Sequence, residues 1–134
     1  MKKLGLFVAP MALLLVFSIA ACGKTPGTGG SSGPSCATGQ TITLVATNFA
    51  NNCQTVSANQ AVTFNDPTGT GGIHIICTGA NATCSNDANA PKDLQGSGFP
   101  IQPGQTHQVT FTKPGTYKLA CTVHPAMNMT LTVK

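Results

Sequence analysis

The residues best suited to chemistry lie near the C-terminus of the chain. Cys121, His124 and Met127 place a thiol, an imidazole and a thioether within the segment 121–127. A second histidine, His74, stands well upstream of this segment. Thiolates, imidazoles and thioethers are the side chains that soft and borderline transition-metal ions bind. The pattern therefore predicts a metal site built from two separate parts of the chain.

The combination of side chains also indicates which metal is bound. Two imidazoles and a thiolate in one plane, with a thioether as a weak axial ligand, form the ligand set of copper sites that transfer single electrons. Three ligands from one tight loop and a fourth from a neighbouring strand would hold this geometry rigidly. Such a site changes little between Cu(I) and Cu(II). We therefore predict one copper ion at this site.

The elements that must position these residues are strands and turns. Alternating or β-branched residues, which are typical of strands, occupy residues 41–47, 61–65, 73–77, 107–112, 115–121 and 129–133. Turn-forming sequences separate several of these runs. The stretch 78–100 has no clear period and is predicted as a long loop. Six or seven short strands of this kind predict an all-β protein with an antiparallel β-sandwich.

A longer stretch beside the candidate ligands resembles the cupredoxins, the small blue-copper proteins that include plastocyanin, amicyanin and pseudoazurin. Residues 103–117 run from a Pro-Gly turn through a strand to Pro-Gly-Thr-Tyr, and lead into Cys121. The resemblance extends over residues 40–134. It implies a Greek-key β-sandwich and a type 1 copper ion with His74, Cys121 and His124 as equatorial ligands.

The axial ligand has two candidates, Met127 and Met129. The residues share one parity, so alternation along a strand cannot separate them. In plastocyanin-like proteins three residues lie between the ligand Met and an apolar alternating strand, and this count fits Met127. The His-x-x-Met spacing is that of amicyanin, whereas the longer spacing to Met129 resembles pseudoazurin. We predict Met127 as the axial ligand and Met129 as a core residue.

Two positions depart from the cupredoxin pattern. The residue after the upstream ligand is commonly an Asn whose side chain ties the two ligand-bearing segments together, but it is Ile75 here. The aromatic residue that precedes the ligand Cys in plastocyanin is replaced by Ala120. We therefore expect electrons to pass mainly through the exposed edge of His124.

The N-terminus predicts export and a membrane anchor. Lys2 and Lys3 precede a nearly uncharged apolar run over residues 4–21, which is typical of an export signal. Residues 19–22, IAAC, resemble the bacterial lipobox, which implies cleavage before Cys22 and lipidation of that cysteine. A plain transmembrane anchor is the alternative, because the apolar run is about long enough to span a bilayer.

The predicted domain organisation follows from this cleavage site. Residues 1–21 would be a lipoprotein signal peptide. Residues 22–39 are rich in Gly, Ser, Thr and Pro and are predicted to be a flexible tether. Residues 40–134 would form the cupredoxin domain. This domain would be lipid-anchored to the bacterial membrane outside the cytoplasm, in the periplasm or on the outer face.

Four further cysteines remain after the lipid and the metal each take one. An exported chain meets an oxidising compartment, so two disulfides are expected. Three connectivities are possible, and we favour the local pairing of Cys36 with Cys53 and of Cys77 with Cys84. A second metal site made of these thiols is disfavoured, since they form no paired Cys-x-x-Cys motifs.

The remaining composition argues against several function classes. The chain has seven lysines, three aspartates and one tyrosine, with no Arg and no Glu. Nucleic-acid binding lacks its usual Arg and aromatic residues. A pair of carboxylates for acid–base catalysis is not expected, because the chain has three Asp and no Glu. Asp66, Asp87 and Asp93 all lie in turn-rich sequence, where capping and solvation explain them. His107 is expected to be a solvated surface residue.

We therefore predict an electron carrier rather than an enzyme. It would be a monomer that exchanges electrons transiently with a donor and an acceptor redox protein. A copper-binding lipoprotein for copper storage or delivery is the main alternative, although delivery sites tend to be open and rich in Met or paired Cys. A metal-free β-sandwich adhesion or scaffold module is a further alternative.

Overall fold

A computed structural model describes residues 35–69 and 71–134 of the chain. The signal peptide, Cys22 and most of the tether are predictions that lie outside the described residues. No helix in the described part is long and apolar enough to cross a membrane.

The described residues form short strands and one turn of 3₁₀ helix. In chain order the strands are β1 (Ala37–Thr38), β2 (Thr41–Val45), β3 (Asn48–Phe49), β4 (Cys53–Val56), β5 (Ala61–Asp66), β6 (His74–Ala80), β7 (Thr83–Cys84), β8 (Phe99–Ile101), β9 (Gln105–Thr110), β10 (Gly115–Cys121) and β11 (Asn128–Val133). The 3₁₀ turn spans Lys92–Leu94.

The strands form two sheets with the core between them. The larger sheet has the order β1-β4-β11-β10-β6-β7, with β8 also paired to β6, and the smaller has the order β3-β2-β5-β9. Alternation sets the inner faces: Leu131 and Val133 of β11 are buried, as are Val62 and Phe64 of β5. The predicted β-sandwich is therefore confirmed.

Pure antiparallel pairing, however, was a wrong expectation. The pairs β1–β4, β4–β11 and β2–β5 run parallel, so both sheets are mixed. Two parallel strands need a long connection between them. The connection from β2 to β5 is long enough because the chain crosses to the larger sheet and forms β4 before it returns. Local sequence carries no signal for such a crossover.

The predicted long loop over residues 78–100 has more structure than expected. It completes β6, returns as β7, passes through the 3₁₀ turn and enters β8. The Thr78 hydroxyl lies 2.6 Å from the Ser85 carbonyl oxygen and 3.0 Å from that of Leu94. This buried side chain fastens the segment onto β6, so its order comes from contacts rather than from a sequence period.

Both disulfides have the predicted local pairing. Cys36 is bonded to Cys53 and Cys77 to Cys84. The first bond joins the start of the described chain to β4, beside which β1 pairs at Ala37–Thr38. Regular structure therefore begins within the predicted tether, before residue 40.

Candidate metal centre

Strand pairing brings the candidate ligands to one end of the larger sheet. β10 lies between β6 and β11, and Cys121 at its end pairs with Ile76 of β6. His74 precedes Ile76 by two residues and so projects from the same face of β6 as Ile76. The chain then turns through residues 122–127 and returns as β11. This topology places His74 beside the loop that carries His124.

The three side chains form a compact cluster. The Cys121 Sγ lies 3.8 Å from Nδ1 of His74 and 3.7 Å from Nδ1 of His124. The three ligand atoms all lie within 4.8 Å of one another. A metal with bonds of about 2.0–2.3 Å to nitrogen and thiolate and trigonal angles would separate its donors by about 3.5–4 Å. The observed separations from Sγ fit such an ion.

Burial differs among the candidate ligands. The side chains of His74, Cys121 and Met127 are fully buried, whereas His124 is partly exposed. The two imidazole rings are tilted by 49° with their centroids 4.8 Å apart. His124 is therefore the candidate ligand through which the cluster reaches solvent.

Hydrogen bonds of the main chain hold the ligand loop closed. The Cys121 N–H donates to the Met127 carbonyl at 3.1 Å, and the Met127 N–H donates to the His124 carbonyl at 2.9 Å. The Thr122 N–H donates to the Ile75 carbonyl at 3.0 Å. This last bond joins the two ligand-bearing segments through the backbone, although the customary Asn side chain is absent at position 75.

The two methionines occupy different places relative to this loop. The pair Ala120–Asn128 in the β10–β11 ladder sets Met127 across from Cys121, while Met129 is paired with Leu119. Residues directly opposite across strands have closer side chains than diagonal neighbours. Met127 is therefore next to Cys121. Met129 lies two pairs further along the sheet and is buried, as expected of a core residue.

Sequence reasoning missed Asn128 as a support of the loop. Its Nδ2 donates to the Pro125 carbonyl at 3.1 Å, and its Oδ1 accepts the Asn81 N–H at 2.8 Å. It thereby connects the ligand loop to the turn between β6 and β7. The sequence carried no signal for this role, because Asn81 is 47 positions away.

Asp66 was wrongly expected to be a solvated turn residue. It ends β5 with its side chain fully buried, and its Oδ2 lies 3.9 Å from Nε2 of His74. Burial lowers the pKa of His74, nearby Asp66 opposes this shift and His124 adds to it. The net lowering favours the neutral imidazole that a metal requires.

His107 lies apart from the cluster, at the surface as predicted. Its ring stacks on Phe99 with centroids 3.9 Å apart, and its Nε2 lies 2.9 Å from Oδ2 of Asp93. Both partners of this contact are partly exposed. These contacts account for His107 without a metal.

Comparisons with known proteins identify a family and similar folds. Residues 35–134 match the family model described as copper binding proteins, plastocyanin/azurin family. Among solved structures, a reduced amicyanin with a Trp-to-Tyr substitution is similar at 21% identity and a TM-score of 0.53. An oxidized amicyanin with a Met-to-Leu substitution is similar at 20% identity and a TM-score of 0.52. Each match covers 70% of this chain and 80% of the amicyanin chain, and it supports the fold.

A comparison with curated proteins finds no match.

Proposed function

Because the chain belongs to the plastocyanin/azurin family of copper-binding proteins, we propose that it is a single-electron carrier. Family membership and the His/Cys/His cluster assign it one copper ion. The proposed equatorial ligands are His74, Cys121 and His124, and the proposed axial ligand is Met127. The observation that carries the proposal is the convergence of both Nδ1 atoms on the buried Cys121 Sγ.

The protein's own residues suit rapid electron exchange. When bound, copper would supply a one-electron couple between Cu(I) and Cu(II). The buried Cys121 and the closed loop keep the ligand atoms in place and exclude water. A site preorganised in this way needs little rearrangement when its charge changes. No substrate is transformed under this proposal.

The surface near His124 suits transient docking of a redox partner. Val123 and Ile73 each precede a proposed ligand in the chain, and their side chains are 43% and 42% exposed. Pro125 and Ala126 beside them are exposed as well. A small apolar patch around a partly exposed ligand allows close approach without tight binding. The donor and acceptor would both use this patch, and the carrier would act as a monomer.

The membrane anchor completes the proposal. Cleavage before Cys22 and lipidation there would hold the domain outside the cytoplasm through the Gly/Ser-rich tether. Tethering raises the local concentration of the domain near membrane-bound oxidoreductases. A Cys22→Ser variant of the full chain should leave the membrane fraction. Retention of this variant at the membrane would favour a plain transmembrane anchor.

Electron exchange with a small redox protein tests the function. We expect the copper-loaded protein to be oxidised reversibly by cytochrome c and to keep its Cu(I) when challenged with a chelator. Val123→Asp should slow the exchange at least tenfold, because the charge disrupts the apolar patch. Thr110→Asp is the matched control, since Thr110 pairs with Ala61 at the end of β5 remote from Asp66. Rapid loss of Cu(I) without electron exchange would instead indicate copper delivery.

A further inference from the structure

Asp66 is unusual among the acidic residues of the chain. All three aspartates are described, and Asp66 alone is fully buried, whereas the Asp93 side chain is 51% exposed. Removing a carboxylate from water is costly unless hydrogen bonds or an opposite charge compensate it. A buried carboxylate also acts more strongly on neighbouring groups than an exposed one does.

The two nitrogens of the His74 ring face different groups. Nδ1 lies 3.8 Å from the Cys121 Sγ, while Nε2 lies 3.9 Å from Oδ2 of Asp66. Nε2 makes no hydrogen bond within 3.5 Å to any described residue. A neutral imidazole that binds a metal through Nδ1 carries its proton on Nε2. That N–H is the group nearest to the Asp66 carboxylate.

The position of Asp66 is fixed independently of His74. It pairs with Gln105 in the β5–β9 ladder, and its carbonyl accepts the Gly104 N–H at 2.7 Å. Asp66 therefore belongs to the smaller sheet, while His74 belongs to the larger one. Their contact joins the two sheets directly behind the proposed ligand.

We propose that Asp66 is a positioning residue that accepts a hydrogen bond from the Nε2–H of His74 and thereby directs Nδ1 towards copper. The two atoms lie 3.9 Å apart, so a small rotation of either side chain brings them to hydrogen-bond length. A carboxylate behind a ligating histidine fixes its tautomer and increases its basicity. The negative charge, acting through a poorly solvated interior, stabilises Cu(II) more than Cu(I). Asp66 therefore lowers the reduction potential of the site.

This inference rests on the copper site proposed above. The variants Asp66→Asn and Asp93→Asn test the role of Asp66 separately from the existence of the copper site. In Asp66→Asn we expect Cu(II) affinity to fall about tenfold relative to Cu(I), within the range for groups that hydrogen-bond a metal ligand. That change corresponds to a rise of about 59 mV in the one-electron reduction potential. Asp93→Asn removes the same charge from the surface and should leave the potential unchanged.

The outcomes of this pair are distinct. A wild-type protein without a type 1 spectrum would overturn the copper site, and the role of Asp66 with it. A blue wild-type protein whose potential is the same in Asp66→Asn would overturn the role of Asp66 alone. An equal rise in Asp93→Asn would also overturn it, because the effect would then be one of net charge.

A measurement on the unmodified chain covers the case in which Asp66→Asn does not fold. Nitrogen-15 NMR of the metal-free protein reports which ring nitrogen of His74 carries the proton. We expect the Nε2–H tautomer, with a proton that exchanges more slowly than that of the partly exposed His107. A His74 ring protonated on Nδ1, or an Nε2 proton that exchanges as fast as that of His107, would overturn the proposal.

Discussion

At the scale of single residues, Met127 and Met129 differ in what lies across from them. Met127 stands opposite Cys121 and exchanges main-chain hydrogen bonds with the ligand loop, whereas Met129 is paired with Leu119. Both methionines are buried. Burial alone therefore does not separate a weak ligand from core packing, but the register of β11 does.

Replacing each methionine by glutamine tests this assignment. Met127→Gln should shift the visible spectrum and lower the reduction potential, because an amide oxygen replaces the proposed axial thioether. Met129→Gln should leave the spectrum unchanged and destabilise the fold by about 1–3 kcal/mol, because it buries an amide in the core. Visible spectroscopy and urea unfolding of both variants measure the two effects. The reverse pattern would move the axial ligand to Met129.

Residue types and spacing were enough to predict the cluster of His74, Cys121 and His124. These side chains have few other reasons to occur together, so a short pattern is informative. Asp66 and Asn128 could not be predicted, because aspartates and asparagines are common in turns. Their roles depend on partners that only the folded sheets bring within reach.

At the scale of elements, the ligand loop depends on the turn between β6 and β7. Asn128, at the start of β11, bonds the Pro125 carbonyl in the loop and the Asn81 N–H in that turn. Asn81 has a positive φ of 51°, which Asn adopts more readily than most residues. The loop is thus supported by Asn128 as well as by the bond between Thr122 and Ile75.

We expect Asn128→Ala to weaken this support. Loss of two hydrogen bonds should lower the free energy of unfolding by about 1–2 kcal/mol, at about 1 kcal/mol per bond. The blue band should persist but lose intensity or shift. Thr130→Ala is the matched control: it lies two residues further along β11 and loses only a bond from Lys118. Urea unfolding and absorption spectra make the comparison, and equal effects on the spectrum would contradict a specific role for Asn128.

The strand that ends at Cys121 was highly predictable. Gly115–Cys121 matches the predicted strand 115–121, because its alternation is regular and a Pro-Gly turn precedes it. The stretch 78–100 was not predictable in the same way. Its order depends on the Thr78 side chain and the Cys77–Cys84 bond, neither of which produces a period in the sequence.

At the scale of the whole molecule, Tyr117 connects segments that are far apart in the sequence. Its hydroxyl donates to the Lys113 carbonyl at 2.7 Å and lies 3.3 Å from that of Asn89. The ring packs against Phe111 in the core. Burial raises the pKa of Tyr117, and the nearby Asp87 raises it further.

The sign of this shift gives a pH dependence. Because the pKa of Tyr117 is higher in the folded state, the buried phenol contributes its full share of folding stability at pH values below its ordinary pKa of about 10. This contribution is lost as the pH rises through the folded-state pKa. Tyr117→Phe should lower the free energy of unfolding by about 1 kcal/mol at pH 7. The variant should also show a smaller alkaline loss of stability than the wild type.

Ultraviolet absorbance reports the ionisation of Tyr117 directly, because the chain has a single tyrosine. In the folded protein the phenolate band should appear at a higher pH than in urea. Urea unfolding at pH 7 and above pH 10 measures the change in stability for both proteins. A folded-state titration that coincides with the unfolded one would contradict the buried environment of Tyr117.

The two-sheet architecture was predictable from strand patterns, but the pairing between distant strands was not. Alternation shows which residues face the core, whereas β4 beside β11 and β2 beside β5 are parallel neighbours set by chain crossovers. Those crossovers matter for function. Within the resulting sheets, Asp66 at the end of β5 reaches His74 at the start of β6.

The visible and electron-paramagnetic-resonance spectra of the copper-loaded protein test the central claim most directly. We predict an intense thiolate-to-copper charge-transfer band and small copper hyperfine splitting, bleached by ascorbate and restored by an oxidant. Cys121→Ser should abolish the band, because it removes the thiolate. A pale tetragonal Cu(II) signal, an absence of tight binding, or a blue Cys121→Ser protein would contradict a type 1 copper centre at this site.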